Sequence, residues 1–131
     1  MLRVSGPDGS SIDYDLAALE AMESATLHTH TSWTDGPQQF TGVRASQLLA
    51  PYDGQGASVR AVALNDYESR MDLQKLQRYP AIVAYKRNGQ YMTTRDKGPL
   101  WMIFPQDDFP ELRTAETDQE MVWHLKGLIV E

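Results

Sequence analysis

Two cationic side chains stand at the entrance to an apolar segment in an otherwise acidic chain. Arg95 and Lys97 flank Asp96 just before Gly98 and Pro99, and the apolar segment follows directly. Guanidinium and ammonium groups in such a place can bind an anionic or carbonyl-rich ligand through charge-assisted hydrogen bonds. They can equally pair with nearby carboxylates on the surface. The spacing alone leaves both interpretations open.

A second polar group follows an apolar strand. Asn65, Asp66 and Tyr67 bring an amide, a carboxylate and a phenol directly after the alternating residues 59 to 64. Strand ends that carry mixed donors and acceptors are common small-ligand sites. The alternative is a plain Asx-type turn.

Trp33 lies in a polar loop that follows a threonine-rich segment. A tryptophan in this position either covers the core or offers a flat surface on which a planar ligand stacks.

The histidines and the search for known catalytic motifs provide weaker evidence for a functional site. His28 and His30 are two residues apart, so a strand would put both on one face, with Asp35 as a possible third metal ligand. Such a pair without further ligands more often faces solvent. The sequence has no Gly-x-Ser-x-Gly motif and no phosphate-binding loop. We therefore assign no catalytic residue and no metal ligand.

Composition limits the possible classes of protein. The chain has 131 residues, which predicts a single domain over residues 1 to 131, and it is 41% apolar and 23% charged, as globular domains are. Its net charge of −6 argues against nucleic acid or an anionic membrane surface as a partner. The absence of cysteine excludes disulfides, thiolate metal sites and cysteine nucleophiles.

Targeting signals are also missing from this sequence. No apolar run approaches the roughly 18 residues of a membrane span, so we expect no direct membrane insertion. No signal peptide is visible at the start, so a native leader, if one exists, has been removed.

The order of predicted elements indicates a strand-rich chain with short helices. No long crossover helix joins two strands, which favours a mixed α+β fold over a doubly wound one. Asn88 and Gly89 supply the positive φ angles of a tight hairpin turn, and Asp15 can cap a helix. The predicted strands cover residues 2–4, 11–14, 25–31, 40–43, 59–64, 81–85, 91–92, 99–104 and parts of 121–130, the predicted helices cover 16–22, 45–49 and 72–76, and residues 107–118 are predicted to be irregular.

Taken in order, several segments resemble a known pattern that covers residues 24 to 130. They are Trp33, 40–43, 48–49, 63–67, 79–80, 88–92, 96–105 and 123–130. This order resembles the molybdopterin-binding domain of the sulfite oxidase superfamily. There, a block of strand, Asn-Gly, strand, Gly-x-Pro and a strand ending in proline forms part of the pterin cleft. The resemblance implies a mixed, strand-rich α+β sulfite-oxidase-type fold with short helices.

One departure from the superfamily pattern removes its chemistry. Catalytic members carry a cysteine a few residues before the position of Trp33, and its sulfur binds molybdenum. Here Thr29 lies near that position, and no cysteine exists elsewhere. A threonine hydroxyl is a hard ligand that replaces a thiolate poorly. The resemblance thus implies the fold and the cleft without the oxidoreductase activity, and we expect no enzyme.

The chain is similar to a small cysteine-free branch of this superfamily that includes periplasmic pterin-binding regulators. Those proteins act on the periplasmic domain of a membrane-bound diguanylate cyclase–phosphodiesterase. The resemblance implies a periplasmic protein that binds a pterin non-covalently, without molybdenum, and so links pterin sensing to cyclic-di-GMP signalling and biofilm control. Its implied partners are the pterin and that periplasmic domain.

A pterin would need an aromatic surface, a carboxylate facing its guanidine-like edge, and donors facing its carbonyl. The aromatic surface would come from Trp33 or Tyr67. The carboxylate would come from Asp66 or Asp96. The expected ligand-binding residues are Trp33, Asn65, Asp66, Tyr67, Arg95, Asp96, Lys97 and Trp101.

Three alternatives remain at this point. The cleft can be vestigial, with residues 107 to 120 as an acidic protein-interaction surface. The protein can be a molybdopterin-dependent oxidoreductase whose metal has no protein sulfur ligand. It can, more distantly, be a metal-binding module that uses His28 and His30.

Overall fold

The computed structural model describes all 131 residues, which form ten strands and four short α-helices. Short 3₁₀ turns occur at Ala50–Tyr52, Thr94–Asp96 and Pro110–Leu112. In chain order the elements are β1 (Leu2–Ser5), β2 (Ser11–Tyr14), α1 (Leu16–Ala21), β3 (Ala25–Thr29), β4 (Gln38–Arg44), α2 (Ala45–Leu49), β5 (Ser58–Ala63), β6 (Glu68–Asp72), α3 (Leu73–Arg78), β7 (Ile82–Arg87), β8 (Gln90–Tyr91), β9 (Trp101–Ile103), α4 (Ala115–Glu120) and β10 (Leu125–Val130).

The strands form two sheets. The first has the order β2-β1-β10-β5-β6, in which β1 and β10 pair in parallel and the other neighbours are antiparallel. The second runs β3-β4-β7, and β7 then pairs with both β8 and β9. The mixed α+β, strand-rich class that the sequence predicted is therefore confirmed.

Two local predictions, a helix cap and a tight turn, are confirmed. Asp15 accepts a hydrogen bond from the backbone N–H of Ala18 and so caps α1. Asn88 and Gly89 adopt positive φ angles of 53° and 81° in the turn between β7 and β8. Asparagine tolerates such an angle and glycine adopts it without strain, which explains Asn-Gly at the two central positions of the turn. Each α-helix is too short to be stable alone, so packing holds it in place.

The core lies on both faces of the second sheet. Successive residues of β7 alternate between two apolar clusters: Val83 and Tyr85 belong to the larger one, and Ile82 and Ala84 to the smaller one. Because a strand points successive side chains to opposite faces, a strand buried on both faces is apolar throughout. Trp101 on β9 is the largest side chain in the smaller cluster.

Two elements differ from the sequence prediction. Residues 68 to 72 form an edge strand, β6, which the polar sequence did not indicate. The acidic residues predicted to be irregular instead include α4, whose first turn is capped because the Thr114 hydroxyl accepts a hydrogen bond from the N–H of Thr117. None of the helices has the length and apolar character needed to span a membrane.

Candidate functional site

A cavity of about 230 Å³ opens where β5 ends, beside the loop that carries Trp33 and the segment that joins α4 to β10. We call it the aromatic cavity. Both apolar and polar side chains line it, a mixture typical of small-ligand sites. The lining residues are Trp33, Ala63, Asn65, Tyr67, Asp118, Gln119, Met121, Val122 and Trp123.

Two tryptophans form a corner of this cavity. The ring centroids of Trp33 and Trp123 are 5.0 Å apart, and the ring planes meet at 72°. Trp33 is 43% exposed, which is unusual for so large an apolar side chain, whereas Trp123 is half-buried. A planar ligand can stack on one indole and place its edge against the other.

The only carboxylate in the cavity belongs to Asp118. Its Oδ2 accepts a hydrogen bond of 2.7 Å from the Ser32 hydroxyl, and its Oδ1 accepts one of 3.1 Å from the Gln106 amide. Both donors are neutral, and no cation pairs with this carboxylate. Its negative charge is therefore oriented and remains available to donors on a ligand.

Asn65 and Tyr67 hold a second edge of the cavity. The side-chain oxygen of Asn65 accepts a hydrogen bond of 3.2 Å from the N–H of Tyr67, which is the predicted Asx turn. This bond leaves the Asn65 amide nitrogen free to donate. The Tyr67 hydroxyl donates to the carbonyl of Gln119 at 3.1 Å and so ties the turn between β5 and β6 to the opposite wall. The Asx turn therefore also lines the cavity, so the two interpretations of this segment do not exclude each other.

Lys97 lies one layer away from the cavity. Its ammonium group is 5.3 Å from the ring centroid of Trp123 and 5.9 Å from that of Trp101, both cation–π distances. Its backbone carbonyl accepts a hydrogen bond from the N–H of His124. The lysine therefore positions Trp123 and adds positive charge beside it, without lining the cavity itself.

The structure places the other predicted site residues elsewhere. Asp66 is paired with Lys126 and its side chain is 85% exposed, and Asp96 is paired with Arg87 at 2.6 Å. Arg95 is exposed and lines no cavity. The cavity thus brings together Trp33, Asn65 and Tyr67, and it does not include Asp66, Arg95, Asp96 or Trp101.

Trp101 belongs to the core. It is fully buried, its ring meets Phe40 edge-on at 5.3 Å, and its indole N–H donates to the carbonyl of Met121 at 3.1 Å. It supports the cavity wall from behind.

Six lining residues were missed by the sequence reasoning, and three of them, Asp118, Gln119 and Trp123, are polar or aromatic. Trp123 lies in a segment that was assigned to a strand, although it also belongs to the blocks that carry the superfamily resemblance. Asp118 and Gln119 lie in residues 107 to 120, for which the sequence suggested only an acidic protein-interaction surface. No local pattern marks Asp118, because its importance comes from the fold that brings it next to Ser32.

The residues present do not fit a molybdenum site of the sulfur-ligated kind. Thr29 is fully buried, and its hydroxyl donates to the carbonyl of His30 and accepts from the N–H of Asp107. The second of these bonds ties the end of β3 to the loop after β9, and together the two bonds already use the hydroxyl. No cysteine is available, and no three His, Asp or Glu side chains converge as metal ligands. We therefore derive no step through molybdenum.

A polar cleft of about 510 Å³ adjoins the aromatic cavity, and Asp118 borders both. His30 donates its backbone N–H to Asp107 Oδ2 at 3.0 Å, and its ring Nδ1 lies 2.7 Å from the same oxygen. Arg113 donates to the other oxygen. The cleft is lined by His30, Thr31, Ser32, Gln106, Asp107, Arg113, Thr114, Ala115 and Asp118.

This arrangement changes the acidity of Asp107. Burial raises the pKa of Asp107, but the hydrogen bonds from His30 and the charges of His30 and Arg113 outweigh it, so the pKa lies below its ordinary value. A carboxyl whose pKa is lower in the folded state contributes stability above its unfolded pKa. That contribution is lost as the pH falls through the folded pKa.

Asp107→Asn is therefore expected to lower the free energy of unfolding by about 1–2 kcal/mol at neutral pH, because hydrogen bonds to a charged group are lost. The difference from the unaltered protein should shrink as the pH falls below about 4, where the Asp107 carboxyl of the unfolded chain becomes protonated, and it should be lost once the pH passes the lower pKa of the folded state. Urea unfolding across this pH range measures it. Asp108→Asn, at the exposed neighbouring position, should change neither quantity. A difference that stays constant with pH would contradict the account.

Comparisons with known proteins show the fold. No protein-family model and no curated protein matches the sequence. The crystal structure of the sulfane dehydrogenase SoxCD from Paracoccus pantotrophus superimposes with a TM-score of 0.73 at 15% sequence identity. The match covers 98% of this chain but only 37% of the SoxCD chain. At this identity the likeness shows the fold alone, and it confirms the predicted sulfite-oxidase-type α+β fold.

Proposed function

We propose that this protein binds a pterin in the aromatic cavity, without molybdenum, and acts as a ligand sensor rather than as an enzyme. The observation that carries the proposal is the corner of Trp33 and Trp123 beside the single, cation-free carboxylate of Asp118. A pterin is a flat heteroaromatic with a guanidine-like edge, so it needs an aromatic surface and a carboxylate in this combination.

The size of the cavity suits such a ligand. Pockets for drug-sized molecules range from about 300 to 1,000 Å³. The aromatic cavity is smaller, at about 230 Å³, and so fits a bicyclic ring rather than a larger molecule. Substituents on the ring could extend into the adjoining polar cleft, since the two spaces meet at Asp118.

Each polar group has a role in this proposal. The Asp118 carboxylate accepts hydrogen bonds from the guanidine-like edge, and the Asn65 amide donates to the carbonyl or to a ring nitrogen. Asp118 replaces Asp66 and Asp96 in the first role, because Lys126 and Arg87 already neutralise those two carboxylates. One indole stacks on the face of the pterin ring, and the other indole contacts the edge of that ring.

The wider role follows from the resemblance to periplasmic regulators. We propose that the protein is periplasmic and that its pterin-bound state acts on the periplasmic domain of a membrane-bound diguanylate cyclase–phosphodiesterase. This would connect pterin levels to cyclic-di-GMP and biofilm formation. The exposure of Trp33 supports a sensing role, since a ligand that stacks on it changes a surface that a partner protein can contact.

Titration of the folded protein with a reduced pterin tests the binding step. Quenching of tryptophan fluorescence and calorimetry should both give one site per chain, with a Kd on the order of micromolar. Metal analysis of protein from a host that makes the molybdenum cofactor should find no molybdenum. Failure of every pterin and of molybdopterin to bind would overturn the proposal. Molybdenum near one per chain would favour an oxidoreductase instead.

Asp66→Ala is expected to leave pterin affinity unchanged, because the Asp66 side chain is paired with Lys126 and lies outside the cavity. The Kd should stay within about twofold of the unaltered protein, which is less than 0.5 kcal/mol. Calorimetry measures it. A tenfold loss would return Asp66 to the binding site and remove Asp118 from its assigned role.

A further inference from the structure

One stretch of chain supplies most of the aromatic cavity, and a buried ion pair holds it from behind. Residues 118 to 123 provide five of the nine lining side chains, and the one that does not line the cavity is Glu120. Glu120 is 2% exposed and receives a hydrogen bond from the ammonium group of Lys75 on α3. Its side chain therefore contacts α3, whereas those of its neighbours line the cavity.

The Lys75 ammonium group makes a compact set of contacts. Besides Glu120, it donates to the Thr117 hydroxyl at 2.9 Å and lies 5.2 Å from the centroid of the Phe104 ring. It thus holds two residues of α4, a helix of six residues that is too short to fix its own position. The alternative partners for these groups would be water, from which both are largely removed.

Three successive residues of this stretch, 119 to 121, are each held by a different part of the fold. Tyr67 donates to the carbonyl of Gln119, Lys75 to the carboxylate of Glu120, and the Trp101 indole to the carbonyl of Met121. Of these three bonds, only the second joins two charged groups. Charge-assisted hydrogen bonds are shorter and stronger than neutral ones, and this one is largely removed from water, so this pair is the strongest of the three restraints on the position of the wall.

We propose that Lys75 and Glu120 are positioning residues for ligand binding, which fix the α4 wall so that Asp118 and Trp123 face the ligand correctly. This inference rests on the proposed pterin site. Burial raises the pKa of Glu120, although Lys75 lowers it, which agrees with a carboxylate kept in a place that is costly for its charge. This energetic cost of burying the Glu120 charge is consistent with a pair that fixes the position of the wall.

The test distinguishes an effect of the ion pair on the shape of the cavity from an effect on the stability of the protein. Replacing a buried ion pair by apolar residues of similar size is often neutral or stabilising, whereas removing one partner is not. The double variant Lys75→Met/Glu120→Leu should therefore keep a Tm equal to or above that of the unaltered protein. Its Kd for a reduced pterin should rise at least about tenfold. Lys75→Arg, which keeps the charge and the donors, should retain most of the affinity.

A ligand-free readout adds to the test. The near-ultraviolet circular dichroism of the Trp33–Trp123 corner should change in the double variant but not in Lys75→Arg. The surface double variant Arg3→Gln/Asp13→Asn, which removes an exposed ion pair remote in the fold, should change neither readout. If the apolar variant does not fold, Glu120→Gln replaces it, because glutamine keeps a hydrogen-bond acceptor for Lys75 but removes the charge. Its Tm is expected to fall, and its Kd, measured at a temperature where the variant is folded, should still rise; a folded Glu120→Gln protein with an unchanged Kd would overturn the positioning role.

The outcomes are distinguishable. A folded double variant with an unchanged Kd and an unchanged dichroism spectrum would overturn the positioning role while leaving the pterin site intact. Absence of pterin binding by the unaltered protein would overturn the proposed function and the positioning role together.

Discussion

Asp118→Asn is expected to raise the Kd for a reduced pterin by about 10- to 100-fold, which corresponds to about 1.4–2.7 kcal/mol. Hydrogen bonds to a charged acceptor contribute about 1.5–3 kcal/mol. Asparagine keeps one oxygen but presents an amino group where the ligand also presents donors. The remaining contacts of Asp118, with Ser32 and Gln106, involve neutral donors that an amide oxygen can still satisfy in part. Calorimetry at neutral pH measures the change.

Two controls make this result specific to the cavity. Asp66→Ala removes a carboxylate outside the site, and Ser32→Ala removes only the hydroxyl that orients Asp118. The first should leave the Kd unchanged, and the second should weaken binding less than Asp118→Asn does. An Asp118→Asn protein that is folded and binds pterin within about twofold of the unaltered chain would exclude Asp118 as the carboxylate that reads the ligand.

The strands could be predicted from the sequence where buried and exposed residues follow the two-residue alternation of a strand, or where the whole strand is apolar. The residues of β5 alternate between buried and partly exposed positions, and β7 is apolar because both its faces are covered. The missed helix α4 shows the limit of this method. Its buried residues are Thr117 and Glu120, which are polar, so no apolar stripe marks the helix. Lys75, more than forty positions away, satisfies those groups, and such pairing is invisible in one sequence.

In the candidate site too, local sequence patterns predicted some residues and tertiary contacts determined the others. Trp33, Asn65 and Tyr67 were found because a strand end and a polar loop with a tryptophan are local signals. No local sequence pattern indicates which carboxylate is available to a ligand. Asp66 and Asp96 are neutralised by Lys126 and Arg87, whereas Asp118 meets only neutral donors, and these pairings are set by tertiary contacts. The chemistry needed by a pterin could be stated from the sequence, but the residue that provides it could not.

The two tryptophans predicted for the site should respond oppositely to substitution. Trp101→Phe is expected to lower the free energy of unfolding by about 2–4 kcal/mol, because it leaves a cavity and an unpaired carbonyl in the core. Trp101 is fully buried against Phe40, and its indole N–H bonds to Met121. Trp33→Ala should cost less than about 1 kcal/mol, as is usual for exposed side chains. It should nevertheless raise the pterin Kd about tenfold or more through lost stacking.

Denaturant unfolding and calorimetry on the same two variants separate these roles. Trp33 lies against Trp123 in the lining of the cavity, while the fully buried Trp101 lies behind the wall, where it bonds to the carbonyl of Met121 and forms a backbone bridge with Trp123. A Trp101→Phe protein that keeps its stability but loses pterin affinity would transfer the stacking role to Trp101. A Trp33→Ala protein with unchanged affinity would leave Trp123 as the stacking surface, and the exposure of Trp33 would then need a partner protein to explain it.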